Sequence, residues 1–365
     1  MSKSILLTGG AGFLGSHLVR RALGGPTGGP TGGPTGGPTG SPTGGPTGSV
    51  SRLLNVDLLT YAGDLRRLAG VDSDPRYAFA RADVASSEQV AHLMREFRPQ
   101  VVVHCAAESH VTRSEGAGDL FFRTNVEGTR VLLEAAISGG VERFVHVSTD
   151  EVYGPALDGY FGEEDKEAGE GRATSAYARS KALADDLVRS YSDRLPVVVV
   201  RPTNAFGPYQ FPEKAFARWV TRALRGEPLL VWGDGLYVRQ WLYAEDFAAA
   251  ILLLAEEGRP GEVYNVGPRH DPEITNLALA RWLLDHLGLP EDTLELTAYD
   301  RPDHDRRYAV DSSRARALGW ECGQVWSQLA GTVRWYEGNR GWWEPHVPEA
   351  ESIYADSPGR TGPAI

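Results

Sequence analysis

Between residues 3 and 202, short apolar runs of strand length alternate with stretches of helical spacing. The runs are KSILLT (3–8), SRLLNVD (51–57), YAFARAD (77–83), QVVVHCAA (100–107), RFVHVS (143–148) and LPVVVVRP (195–202). Between them, SHLVRRAL carries Leu18, Val19, Ala22 and Leu23 at helical intervals, and SEQVAHLMREF and TNVEGTRVLLEAAISGG are amphipathic. This alternation predicts an α/β fold, a doubly wound parallel sheet with helices on both faces.

After about residue 205 the rhythm changes. FPEKAFARWVTRALRGEPL, RQWLYAEDFAAAILLLAEEG, TNLALARWLLDHLG and VWSQLAGTVRWYEGN read as helices interleaved with short strands such as EVYNVG. A sheet domain over 1–204, a smaller C-terminal α/β substrate-binding subdomain over 205–345 and a tail over 346–365 are therefore expected, with a ligand crevice between the two bodies. One segment belongs to neither body. Residues 24–49 repeat Gly-Gly-Pro-Thr with no apolar side chain, so they cannot bury a core, and the recurring proline forbids helix. The period of four also excludes a collagen helix, and the tract reads as a disordered surface insertion.

The net charge of −11 and pI near 5.4 exclude the basic footprint of a nucleic-acid binder. No apolar run approaches the length of a membrane span, and the first strand follows the N-terminus too closely for an export leader, so a cytoplasmic protein is expected. Cys105 and Cys322 are too few and too far apart for a disulfide framework or a metal cage, and no metal is expected.

The turn TGGAGFLG brings chemistry into the pattern. Gly9, Gly12 and Gly15 follow a strand and open a helix, where bare backbone can approach a pyrophosphate and helix N–H groups face its charge. Asp57, ending the second strand, is placed to accept from both hydroxyls of an adenine ribose. A carboxylate there favours NAD over its 2′-phosphorylated form. The glycine-to-acid spacing is far longer than usual, and excising the Gly-Pro-Thr tract restores it. Farther on, Tyr177 and Lys181 in SAYARSK stand four residues apart on one helix face, where an ammonium lowers a phenol's pKa. Ser148-Thr149 at a strand end lead into STDEVYG, which sets Asp150 beside Glu151.

Together these features resemble the extended branch of the short-chain dehydrogenase/reductase superfamily, whose sheet is of the Rossmann type. The motifs TGGAGFLGSH, DLLTYAGDL, AAESHVTRS, TNVEGT, VSTDEVYG, YARSK, FGPYQFPEK, WGDG, VRQWLYAEDF, RPDHDRRYAVD and WYEGNRGWWEP are similar, in order and spacing, to dTDP-glucose 4,6-dehydratases. The likeness spans nearly the whole chain except the repeat tract and the last dozen or so residues. It implies an NAD-dependent enzyme that oxidises C4 of a glucose nucleotide, eliminates water across C5 and C6, and returns the same hydride to C6. Carried onto this chain, Tyr177 takes the 4-hydroxyl proton, Lys181 tunes it, and Thr149 hydrogen-bonds the developing carbonyl. Glu151 removes the C5 proton and Asp150 protonates the departing C6 hydroxyl. Gly9, Gly12, Phe13, Leu14, Gly15, Asp57, Thr60, Asp83, Val84, Ala106, Ala107 and Thr124, with Tyr177 and Lys181, are implied to hold the cofactor. Ser109, His110, Asn204, Glu213, Lys214, Arg239 and His304 are implied to contact the substrate, Arg239 as the phosphate partner.

The chain departs from the family pattern at Thr112, Ala205, Phe206, Ala215-Phe216-Ala217, Tyr237 and Phe247. These lie where the nucleotide sugar is recognised, which keeps another nucleotide base in play. A nucleotide-sugar 4-epimerase or decarboxylase of the same superfamily would leave Asp150 and Glu151 idle, and a non-catalytic NAD-binding scaffold would leave the whole constellation idle. The resemblance also implies a homodimer, paired through the helix LFFRTNVEGTRVLLEAAI and the helix carrying Tyr177 and Lys181.

Overall fold

Strand β1 (Lys3–Thr8) is buried from Ser4 onward and pairs in parallel with β2 (Val50–Asp57) on one side. In the computed structural model, which describes residues 3–25, 50–109, 118–165, 175–297 and 305–355, β2 pairs in turn with β3 (Tyr77–Arg81). On its other side β1 meets β4 (Val101–His104), followed by β5 (Arg143–Val147) and β6 (Val197–Pro202), all parallel. The order β3-β2-β1-β4-β5-β6 reverses between β1 and β4, which opens a crevice at their carboxyl ends. His110, Thr112, His304 and the repeat tract from residue 26 lie outside the described residues.

The strands read as continuous apolar runs because both faces are covered. Ile5, Leu7, Val101, Val103, Val145, Val198 and Val200 point to one core, while Leu6, Val102, Phe144, Val197 and Val199 point to the other. This is the period of two expected of a pleated strand. Helix α1 (Phe13–Leu23) packs on the first face, and its C-terminus closes on Gly24 at φ 70°, whose N–H reaches the Arg20 and Arg21 carbonyls. The first glycine of the repeat tract is thus the cap of this helix. On the second face lie α2 (Ser87–Phe97) and α3, which runs through Gly118–Phe122, a π-helical turn at Arg123–Glu127, and Gly128–Ser138. Helix α4 (Ala176–Ser190) starts where the Ser175 side chain accepts from the Ala178 N–H, a cap worth about 1 kcal/mol.

A second body has its own core of Phe206, Trp219, Leu229, Trp241, Leu283, Leu329, Trp335 and Trp343. It contains the two-residue β7 (Ala205–Phe206), α5 (Ala215–Leu224), β8 (Leu229–Trp232) and β9 (Leu242–Tyr243), with β7 parallel to β9. The chain then returns to the sheet. In α6 (Ala244–Glu257), Phe247, Ala248, Ile251 and Leu254 pack into the core that holds α1, and β10 (Val263–Val266) extends the sheet beside β6. Residues 244–266, read from sequence as part of the second subdomain, are in this way built into the first. The apolar Phe247 is at home there, fully buried. Helix α7 (Asn276–Leu287), β11 (Leu294–Thr297) paired to β8, and α8 (Val325–Gly338) complete the second body. The segment read as a tail contains a further helix, α9 (Val347–Ala355).

A buried guanidinium and a buried imidazole pin the two bodies together. Arg67 bonds the carbonyls of Ala11, Ala62 and Tyr209, and its guanidinium lies 5.2 Å from the Trp342 ring centroid. His17 Nε2 lies 3.0 Å from the Pro208 carbonyl oxygen. Among the described residues, no helix is long and apolar enough to cross a membrane.

Candidate active site

The glycine turn sits at the switch point, and its glycines are there for room. Gly9 has φ 76°, and a Cβ on it would stand 2.7 Å from the Ala106 nitrogen across the β1–β4 crevice. A Cβ on Gly15 would stand 2.1 Å from the Gly9 oxygen. Asp57 anchors the turn from below, accepting from the Ala11 N–H at 2.9 Å and the Leu59 N–H at 2.8 Å. Burial raises its pKa against those bonds. Bare backbone, a helix start and an acidic strand end fit a dinucleotide pyrophosphate and ribose. Gly9→Ala is expected to cost on the order of 1–3 kcal/mol from the left-handed backbone alone. The clash with Ala106 adds to this, so a lowered thermal midpoint and weakened NAD binding in a fluorescence titration are expected; an unchanged midpoint would contradict the close approach.

A single cavity of about 920 Å³ runs from this turn into the second body. Its first half is lined by Gly9, Gly12, Phe13, Leu14, Gly15, Asp57, Thr60, Asp83, Val84, Ala106, Ala107 and Thr124. Thr149, Asp150, Glu151, Tyr177 and Lys181 line it as well, as do Ser109, Asn204, Glu213, Lys214 and Arg239. Every candidate within the described residues therefore meets in one space; His110 and His304 lie outside them. The π-helical turn shapes one wall, for Asn125 clamps the loop after β4 through Glu108 N–H and C=O, at 2.9 and 3.0 Å, and bonds Ser180 on α4 at 2.9 Å. Lys214 Nζ donates to the Ser109 carbonyl at 3.2 Å, and Tyr61 donates to Glu213 at 3.3 Å.

After β5 the chain enters a short 3-10 turn, Asp150–Tyr153, capped by Thr149 Oγ1 accepting from the Glu151 N–H at 3.3 Å. Asp150 is 3 % exposed, and among the described residues its Oδ2 has no hydrogen-bond partner. Burial, with the Glu151 charge beside it, pushes its carboxyl up to about 8, against the pull of Arg239. Asp150 is thus a protonated acid at neutral pH, facing the cavity next to a carboxylate.

On α4, Tyr177, Lys181 and Asp185 recur every fourth residue and so share a face. Lys181 Nζ donates to the Val147 carbonyl at 2.7 Å and lies 3.4 Å from His146 Nε2. Behind it, Asp185 stands 3.5 Å from His146 and pairs with Arg201 at 2.9 Å, all fully buried. Burial lowers the Lys181 ammonium to about 8, with Asp185 and Cys105 acting in the opposite sense. In this arrangement the Tyr177 pKa is raised on balance, against the direction in which the Lys181 charge acts. Burial and the Glu151 charge push the phenol up, opposed by a hydrogen bond with Thr149. The reason is that the Lys181 head turns to Val147 and His146, while the acids of the 3-10 turn face the tyrosine.

Arg239 is held by the carbonyls of Val238 at 2.7 Å and Asp305 at 2.9 Å, with the Tyr308 ring centroid 4.4 Å from its guanidinium. Two of the departures from the family pattern explain each other: Phe206 and Phe216 meet edge-on at 5.7 Å, and Phe216 also lines the cavity. Sequence reasoning did not single out Trp219, Trp232, Asn276, Tyr308 and Tyr354, which line it too. Most of these read from sequence only as apolar face positions. Trp232 and Tyr308 carried a usable signal, lying inside the WGDG and RPDHDRRYAVD motifs.

Comparison with known proteins follows the geometry. The family model described as the NAD dependent epimerase/dehydratase family matches residues 5–267. A low-salt glycan biosynthesis protein, Agl12, of Haloferax volcanii is 41% identical over 319 residues, covering 87% of this chain and 93% of that protein. The dTDP-glucose 4,6-dehydratase of Streptomyces niveus is 39% identical over 362 residues, covering 98% of this chain and 99% of that enzyme. The crystal structure of the dTDP-glucose 4,6-dehydratase DesIV from Streptomyces venezuelae, with NAD bound, superposes with a TM-score of 0.83 at 41% identity, covering 94% of this chain and 99% of that one. A glycine cradle at the switch point, paired carboxylates above the tyrosine-lysine helix and full-length likeness agree: the chain belongs to the NAD dependent epimerase/dehydratase family, within its dTDP-glucose 4,6-dehydratase branch.

Proposed function

We propose that this protein is an NAD-dependent hydro-lyase that converts dTDP-glucose to dTDP-4-keto-6-deoxyglucose. The observation that carries the reading is Asp150, a buried carboxylic acid kept protonated near neutrality beside a second carboxylate, in the same cavity as Tyr177. A 4-epimerase or decarboxylase has no task for that pair.

NAD, when bound, supplies the acceptor for the C4 hydride, its later return to C6 and, in its oxidised form, a positive charge. The chain supplies the proton chemistry. Tyr177 takes the proton of the 4-hydroxyl, Thr149 donates to the forming carbonyl, and the Lys181 ammonium, one turn away, favours the phenolate. With C4 a ketone, the C5 proton is acidified and Glu151 removes it. Asp150 gives its proton to the C6 hydroxyl, which leaves as water. Arg239 neutralises the diphosphate. Incubation with dTDP-glucose should yield a product lighter by one water, with no net reduced cofactor; no such product would refute the reading. Turnover of another glucose nucleotide alone would reassign the base.

The pH profile follows from the acid. Asp150 must carry its proton to act, and Lys181 must keep its charge; both forms prevail below about pH 8. kcat is therefore expected to fall as pH rises through that value. A flat profile into alkaline conditions would contradict these roles.

We infer a homodimer paired through α3 and α4, on which Leu120, Phe122 and Leu183 remain 45–46 % exposed. A solution mass of one 39.6 kDa chain would refute it. A reducing, cytoplasmic setting suits the two free cysteines, and exclusion from a fractionated cytosol would refute it. As working domains we take 3–204 with 244–266 for the cofactor, and 205–243 with 267–345 for the nucleotide sugar; limited proteolysis that cuts within α6 before β7 would contradict this division.

A further inference from the structure

Behind Lys181 lies a buried cluster to which the reaction steps give no task. His146 of β5 stands between Lys181 and Asp185, its Nε2 3.4 Å from the ammonium and 3.5 Å from the carboxylate. Arg201 of β6 holds Asp185 from the far side, its Nε donating at 2.9 Å. The Arg201 guanidinium lies 4.7 Å from the Tyr153 ring centroid, and the Tyr153 hydroxyl donates to Asn265 on β10 at 2.9 Å. Tyr153 closes the 3-10 turn that carries Asp150 and Glu151. One chain of contacts therefore runs from α4 through β5 and β6 to the turn with the acids, and no residue in it is more than 2 % exposed.

Charges in so dry a place are costly unless they are paired. Lys181 and Arg201 bring two positive charges. Against burial, Arg201 and His146 hold the Asp185 carboxyl down to about 2, so it is ionised. The other titratable groups facing Lys181 carry no charge. Burial, with the Lys181 charge, lowers His146 to about 4, and burial keeps His104 of β4 well below its ordinary range. The Cys105 thiol, next after β4, is pushed up to about 12 by burial, and Tyr177, one turn back on α4, is held as a neutral phenol by burial. Asp185 is thus the negative charge that acts on Lys181 among the described residues.

We propose that Asp185 is a positioning residue of the reaction, the counter-charge that acts across His146 to hold the Lys181 head at the Val147 carbonyl and keep it an ammonium. Without it the ammonium would face Arg201 through a neutral imidazole, and Lys181 would give up its proton at lower pH. The task of Lys181 in turnover rests on the dehydratase reading; the link between the two charges stands apart from it.

The test reads the Lys181 charge directly. Lys3, Lys166, Lys181 and Lys214 are all the lysines of the chain, so lysine labelled with 13C at the ε-carbon gives few NMR signals. The one missing from Lys181→Met belongs to Lys181. Its pH titration in the NAD-loaded protein is compared between wild type, Asp185→Asn, and Asp185→Asn combined with Arg201→Met, beside kcat on dTDP-glucose against pH. Asparagine keeps the shape and removes the charge. The double variant removes both partners of the buried pair, so it tests the link in a folded protein if the single variant does not fold. In both variants the Lys181 midpoint is expected to fall by about one unit or more, with the alkaline fall of kcat moving to lower pH in step. At about pH 6, where the ammonium re-forms, kcat is expected to return toward wild type, which a merely structural defect would not do. An unmoved Lys181 midpoint in a folded variant overturns the proposal, as does a kcat lowered equally at every pH. A wild type that does not turn over dTDP-glucose overturns the dehydratase reading, while the midpoint still decides the charge link; an unmoved midpoint with normal wild-type turnover overturns the proposal alone.

Discussion

Tyr177→Phe is expected to lower kcat on dTDP-glucose by roughly a thousandfold, within the range of about 10²–10⁴ for loss of a positioned acid-base group. The substitution removes one oxygen from a side chain 9 % exposed and leaves the ring that packs edge-on against Phe121 at 6.5 Å. NAD affinity and the thermal midpoint should therefore stay near wild type, which separates a chemical defect from a folding one. The residue matters because oxidation at C4 needs the hydroxyl proton removed as the hydride leaves. Burial and the neighbouring acids hold the phenol neutral, so the positive charges of Lys181 and of the oxidised cofactor must offset them. A loss smaller than about tenfold would hand the proton to another group, with Glu151 the nearest in role.

Asp150→Asn should separate the two halves of the reaction. Asparagine keeps the shape and removes the acid, so the C6 hydroxyl loses its proton donor while Tyr177, Lys181 and Glu151 remain. Product formation is expected to fall by roughly 10²–10³, the lower part of the range for a general acid. The C4 ketone should still form, and the C5 proton should still exchange with solvent deuterium through Glu151. Quenched samples analysed by mass spectrometry and NMR would show a 4-keto sugar that retains its 6-hydroxyl. Wild-type release of water from this variant would contradict the role of Asp150 and hand the C6 proton to another acid in the cavity.

The sheet was legible because strands covered on both faces must be apolar throughout, as in Val197–Val200, and the helices between them carry their own caps. The glycine turn was legible for a local reason too, since Gly9 and Gly15 stand where a Cβ has no room. Other features depend on partners far along the chain. Helix α6 reads as an apolar helix whichever body it joins, and only its packing against α1 assigns it to the sheet. The Tyr177 pKa turned on burial and on where the Lys181 head points, which spacing on a helix does not determine. Tyr354 meets Arg218 and Trp232 more than a hundred residues away, so its place in the wall left no local mark.

The account stands most directly on where one hydrogen travels. dTDP-glucose carrying deuterium at C4 should yield a 4-keto-6-deoxy product with that deuterium in the C6 methyl group, one hydrogen from solvent at C5, and no net reduced cofactor. Deuterium that stays on C4 of a sugar retaining its water, or that is lost to solvent, would contradict the elimination and the roles given to Asp150 and Glu151.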